Sequence, residues 1–125
     1  MRLRFRFESA ECIAEIYADL APKTFEAIRK KLPLESIVRR WGDEIYFETK
    51  ISFFEEENSK EIVEIGDVAY WIPGQAICLF FGKTPISKDF IRPASAVNVI
   101  GKIVKGIEGL KKVKEGETVF VEEIK

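Results

Sequence analysis

The 125-residue chain carries 20 basic and 21 acidic side chains, a formal net charge of −1 and no histidine, and 46% of its residues are apolar. That apolar share, with ten Phe in it, supplies the core of a single domain spanning residues 1–125 and excludes disorder. The missing histidine removes His-based triads, His general bases and most catalytic zinc sites, and a pI near 5.7 argues against a nucleic-acid partner.

Arg2 to Phe7 alternates strictly, with Arg2, Arg4 and Arg6 on one face and Leu3, Phe5 and Phe7 on the other. Glu11 to Ala18 nearly does, so both read as strands, joined by the turn-like Glu8-Ser9-Ala10-Glu11. The same alternation marks the start of the chain as a strand and not a signal peptide. Pro22 fits the first turn of a helix, where its missing N–H costs nothing. Phe25, Ile28, Arg29 and Leu32 follow at helical spacing, Lys30 and Lys31 suit a C-terminal end, and Pro33 stops it. These signals predict a helix over 22–32. Residues 34–43 read as a loop closing in a Gly42-Asp43 turn, followed by a strand over Glu44 to Glu48.

The stretch 53–67 is acidic and polar and reads as a surface excursion. Strands are predicted at Val68 to Ile72, Ala76 to Phe81 and Val97 to Val104, where β-branched and aromatic residues dominate. Pro73-Gly74 is a turn, with Pro at its second position and Gly free to take positive φ. That turn breaks the uncharged stretch Val68 to Phe81, which is too short for a membrane span of about 20 residues. No membrane partner is expected, and the protein reads as cytoplasmic. Ile107 to Val113 fits a short second helix and Thr118 to Ile124 a last strand. Seven or eight short strands with one good helix describe a mainly β domain, a barrel.

Charge falls in blocks. Residues 1–40 hold nine basic and six acidic groups, residues 43–67 two and nine, and residues 83–125 nine and six. Lys outnumbers Arg by thirteen to seven, and only Asn58, Asn98 and Gln75 carry a carboxamide, a bias that points to a heat-loving source. Cys12 and Cys78 lie among apolar neighbours and read as two buried reduced thiols, with a disulfide the alternative if the source is a hyperthermophile. Gly82-Lys83-Thr84 lacks both the second upstream Gly and the following helix of a P-loop, which excludes nucleotide binding. Glu55-Glu56-Glu57 is consecutive, not spaced to converge on a metal, and reads as a solvated loop. No cofactor and no metal are called for.

Three stretches carry a resemblance. "AEIYADLAPKTFEAIRKKLP" resembles the cyclophilin stretch in which a strand ends in Asp and Pro-Lys-Thr opens the helix. "ICLFFGKTP" looks like the cyclophilin strand with its Lys-Thr exit, and "NVIGKIVKGIEGLKKV" is similar to the strand that leads to a short helix. The closest likeness is to a compact cyclophilin-like family of prokaryotic proteins that shares "WGDEIYF", "GDVAYWIPGQAICLFFGKTP" and "NVIGKI". The resemblance implies a closed eight-stranded antiparallel barrel capped by one or two short helices. Activity does not follow from it.

Cyclophilins lower the barrier of roughly 18–20 kcal/mol to rotation about Xaa-Pro bonds. They place a cationic donor near the prolyl nitrogen and grip the ring in an apolar pocket. Here the usual set does not transfer. Arg39 and Arg40 precede the Gly-Asp turn, Ala76-Ile77-Cys78-Leu79 stands in the pocket strand, the tryptophan loop is "PISKDF", and the pocket His is missing. Arg40 is the sole candidate for the cation. The leading reading is a binding domain for a small molecule or a short peptide in an aromatic cleft. Its candidate ligand-binding residues are Arg40, Trp41, Glu44, Tyr46, Trp71, Gln75, Phe81, Thr84 and Asn98. The alternatives are a divergent peptidyl-prolyl isomerase using Arg40, and a self-associating homodimer that buries its outward aromatics. Asp43 with Glu44 as an acid–base pair is disfavoured, because adjacent strand residues diverge.

Overall fold

A computed structural model describes all residues 1–125. In chain order the elements are β1 (Arg2–Arg6), β2 (Glu11–Ile16), α1 (Pro22–Lys31), β3 (Leu34–Ile37), β4 (Arg39–Arg40), β5 (Glu44–Glu48) and β6 (Ser59–Lys60), then β7 (Asp67–Trp71), β8 (Ala76–Phe80), β9 (Val97–Lys105), a 3₁₀ turn (Ile107–Lys112) and β10 (Thr118–Ile124). The strands pair antiparallel in the order β3-β10-β1-β2-β9-β7-β8-β5-β4, with β6 added on β9. Because β3 and β4 are two segments of one stretch interrupted only at Val38, this path ends where it began. Counting them as one strand gives the eight members of a barrel.

Residues 34–40 form strand where the sequence predicts loop: Leu34–Ile37 pairs with β10 and Arg39–Arg40 pairs with β5, Arg40 opposite Ile45. Strands of four and two residues are too short to show a period, and their partners lie far along the chain. β6, also two residues, was missed for the same reason.

Alternation decides which side chains fill the barrel. Leu3 and Phe5 of β1, Cys12, Ala14 and Ile16 of β2, Ile45 and Phe47 of β5, Val68 and Tyr70 of β7, Ile77 and Leu79 of β8 and Val119 and Val121 of β10 all join one buried cluster of 23 residues. Phe5 and Phe47 meet at 6.1 Å between ring centroids. The interior is a packed core of these side chains.

Helix α1 follows β2 and the 3₁₀ turn follows β9; these two strands are antiparallel, so the helices close opposite ends. Ile28 and Leu110 plug them. Ala21 offers no side-chain cap to α1. Glu57 does this from a distance, accepting from the Lys23 and Thr24 N–H groups at 3.1 and 2.7 Å and from the Thr24 hydroxyl at 2.7 Å. A carboxylate at that end satisfies two orphan donors and meets the positive end of the helix dipole. Glu57 is therefore a tethered cap, not part of a freely solvated acidic loop. Those bonds hold its carboxyl below its ordinary value against the opposing effect of partial burial, which is the largest single influence. The two cysteines are both free and buried, Cys12 inside the barrel and Cys78 on its outer face, so no disulfide joins them.

Candidate functional site

The outer face of the barrel carries a second, smaller buried cluster: Val63, Ala69, Cys78, Phe80, Ile91 and Val97, with Tyr46, Trp71 and Val99 packed against it. Strand register places these residues together. Opposite pairs are Glu44 with Phe80, Tyr46 with Cys78 and Ala69 with Cys78, all projecting outward. The segment 82–96 roofs the cluster. Its shape is fixed by Ser87, whose hydroxyl oxygen accepts from the Thr84 and Arg92 N–H groups at 3.0 Å each, and by the Val63 N–H bonding the Ile91 carbonyl at 3.0 Å.

The roof stops short at one edge and leaves a hollow of about 260 Å³ lined by Trp41, Glu44, Tyr46, Trp71, Pro93, Ala94 and Val97. Trp41 arrives from a tight turn, in which the Trp41 N–H donates to the Glu44 carbonyl at 3.0 Å and the Glu44 N–H returns to the Trp41 carbonyl at 3.2 Å. Gly42 sits in that turn at φ 62°, and a Cβ there would lie 2.8 Å from the Lys83 carbonyl oxygen. Only glycine lets the turn lie against the roof segment so closely. Tyr46 and Trp71 meet edge to face at 6.1 Å and 79°, and the Trp71 indole N–H is held by Ser95 Oγ at 2.7 Å. The rings are thus fixed on two sides of the hollow.

Glu44 is the one charged group on the lining, and it is only 5% exposed. Burial pushes its carboxyl up to about 7, opposed weakly by the neighbouring Cys78 thiol. Cys78 is in turn pushed well above its ordinary value, first by burial and then by Glu44. The thiol stays protonated and is no nucleophile.

Of the nine residues singled out from sequence, the structure brings four together: Trp41, Glu44, Tyr46 and Trp71. The other five are placed elsewhere. The Arg40 guanidinium donates to the Val113 carbonyl at 2.6 Å and the Gly42 carbonyl at 2.8 Å, and lies 5.0 Å above the Phe81 ring. Phe81 itself points into the main core, and Phe80 takes the outward position. Gln75 bonds the Phe53 N–H and the Tyr70 hydroxyl through Oε1, and the Phe53 and Ile72 carbonyls through Nε2. Thr84 is spent on the Arg92 carbonyl and Ser87. Asn98, 1% exposed, bonds the Glu57 N–H, the Glu55 carbonyl and the Thr24 hydroxyl. Pro93, Ala94 and Val97 were not foreseen, and two of them come from a roof without periodicity.

A larger hollow of about 630 Å³ lies on the other side of Tyr46, between Lys31, Leu34, Arg39, Glu48 and Gly74. Its walls are mostly polar and it holds no buried ionisable group, so the smaller site is the better candidate.

Along residues 1–122 the chain matches the family described as Cyclophilin-like. It belongs to that family. The hypothetical protein AF2241 from Archaeoglobus fulgidus, known from a solution structure, is 66% identical to this cyclophilin-like chain with a TM-score of 0.89, covering 99% of this chain and 95% of its own. McbB, solved in complex with tryptophan, reaches a TM-score of 0.75 at 15% identity; 97% of this chain corresponds to 44% of that protein, a likeness of fold alone. No curated protein matches the chain. No helix of this cyclophilin-like domain is long and apolar enough to cross a membrane.

Proposed function

We propose that this cyclophilin-like domain binds a small molecule or a short peptide segment in the outer-face hollow between Trp41, Glu44, Tyr46 and Trp71. The observation that carries this reading is the convergence of three large aromatic side chains and one buried carboxylate on a single indentation of about 260 Å³, outside a barrel whose interior is full. Half-buried rings around a concave surface leave apolar area for a partner to cover, and one polar group orients it. Binding is preferred over proline isomerisation because the Arg40 guanidinium is committed to backbone carbonyls and to Phe81, leaving no cation in the hollow.

The chain has two tryptophans, and both line this site. Intrinsic fluorescence therefore reads it directly. A fragment collection of small amines, alcohols, indoles and short peptides should contain members that shift the emission saturably. Trp71→Leu should weaken the same members at least tenfold while the fold, checked by amide NMR dispersion, stays. Amide shifts that cluster instead around Lys31, Arg39 and Gly74 would refute this choice of site.

A further inference from the structure

The chemistry of the lining narrows the ligand class, on the premise that the hollow is a binding site. We infer that it takes an alkylated ammonium headgroup, with the Trp41, Tyr46 and Trp71 rings around the cation and the Glu44 carboxylate as its counter-ion. An aromatic face attracts a cation through the ring quadrupole, Trp most strongly, and a quaternary nitrogen needs no hydrogen-bond partner. The walls suit this and little else. The Trp71 N–H is occupied by Ser95, no Lys or Arg lines the hollow, and Pro93, Ala94 and Val97 present only carbon side chains. An anion would find almost no donor and would meet Glu44; a sugar would find one acidic group and too few partners. The volume, about 260 Å³, falls below the roughly 300–1,000 Å³ of drug-sized sites and suits a headgroup.

Glu44 supplies the second argument. The residue is only 5% exposed where it lines the hollow, and apart from the Cys78 thiol no hydrogen-bonding group acts on its carboxyl. A carboxylate is costly there when unpaired and is stabilised by an entering cation. The titratable groups facing it are Cys78 on β8, which stays a thiol, and Tyr46 on β5. Asp43, next in the chain, turns to Arg40 at 3.5 Å, and Arg92 is an exposed roof residue lining a different hollow. β7 and β9 contribute Trp71 and Val97, which do not titrate.

The test compares choline with 3,3-dimethylbutan-1-ol, its uncharged isostere, by tryptophan fluorescence and amide NMR. Choline should bind at least tenfold more tightly at pH 8. With the Glu44 carboxyl titrating at about 7, its affinity should fall about tenfold from pH 8 to pH 6, while that of the isostere stays flat. Glu44→Gln keeps the side-chain volume and should abolish both the preference for choline and its pH dependence. Trp71→Leu should weaken choline even if Glu44→Gln fails to fold. A short peptide bearing trimethyllysine that binds more tightly than choline would also support the inference and assign the headgroup to a modified side chain. Equal binding of choline and its isostere would overturn the cation assignment and leave the binding site standing. If choline fails while neutral fragments shift the tryptophans, the assignment again falls alone. If no fragment shifts them, both readings fall together.

Discussion

Glu44 should make the stability of the protein depend on pH in a window where no other side chain titrates at its ordinary value, because the chain has no histidine. Folding raises its pKa from 4.5 to about 7. Between those values the native state holds a proton that the unfolded chain has released, so unfolding loses a proton and stability falls as pH rises. Two and a half pH units at about 1.4 kcal/mol each give a loss of about 3 kcal/mol, complete above pH 7. Glu44→Gln cannot ionise. The variant should lie close to the wild type at pH 4 and exceed it by up to about 3 kcal/mol at pH 8. The assay is urea unfolding of both proteins at pH 4, 6 and 8, read as the difference between them, which cancels the α-amino group and everything else they share. Glu15, Glu57 and Glu117 have folded values below the ordinary one. Their contribution is present above 4.5 and is lost only as pH falls through those lower values, outside the window. A difference independent of pH would refute the claim that Glu44 is desolvated in the fold.

Asn98→Ala should be strongly destabilising, because it leaves the Glu57 N–H and the Glu55 carbonyl, both tied down near the helix start, without partners. A cost of about 2–4 kcal/mol is expected from the two backbone groups left unpaired, with the bond to the Thr24 hydroxyl lost as well, measured by the same urea titration. Arg40→Ala removes the bonds to the Val113 and Gly42 carbonyls and the contact with Phe81. It should lower stability by about 2–3 kcal/mol while leaving ligand affinity at the tryptophans within twofold. An Ala-Pro peptide followed by NMR exchange should show no acceleration of cis–trans exchange with either protein; acceleration by the wild type that Arg40→Ala abolishes would restore the isomerase.

How far the sequence could be read follows from what each signal depends on. Alternation along Arg2 to Phe7 and the Pro22 and Pro33 boundaries of α1 are local, and the structure reproduces them within a residue or so. The parity of β8 is different. Alternation says that Phe80 and Phe81 face opposite ways, but both faces of β8 are buried, so its five residues carry no polar mark to tell inside from outside. The assignment of Phe81 to the cleft was reversed for that reason. β5 has such a mark, since Glu44 and Tyr46 share a face opposite Ile45 and Phe47, and there the residues that line the hollow were legible. The candidate carboxamides Gln75 and Asn98 differ in another way. Both fasten loops to the barrel, as Asn58 does through the Val99 carbonyl at 2.9 Å. An amide suited to binding a ligand is equally suited to binding backbone, and only the loop path separates the two.

The same loop path explains why the site lies where it does. The barrel interior is filled by the main core, so under the proposed function a ligand would be met on the outside, where apolar residues are ordinarily a liability. Residues 82–96 cover most of that outer patch and bury Phe80, Ile91 and Val63. Extending the cover by one more side chain over Trp41, Tyr46 and Trp71 would gain apolar burial, and replacing Glu44 by an apolar residue would remove the cost of a desolvated acid. The fold does neither. It keeps three rings partly uncovered beside a carboxyl that folding alone disfavours as an anion, and both costs would fall if, as inferred above, a cation of the right size occupied the hollow. Ligand-free stability and ligand affinity therefore oppose each other at one residue: Glu44→Gln, which should strengthen the fold at pH 8, should also weaken choline.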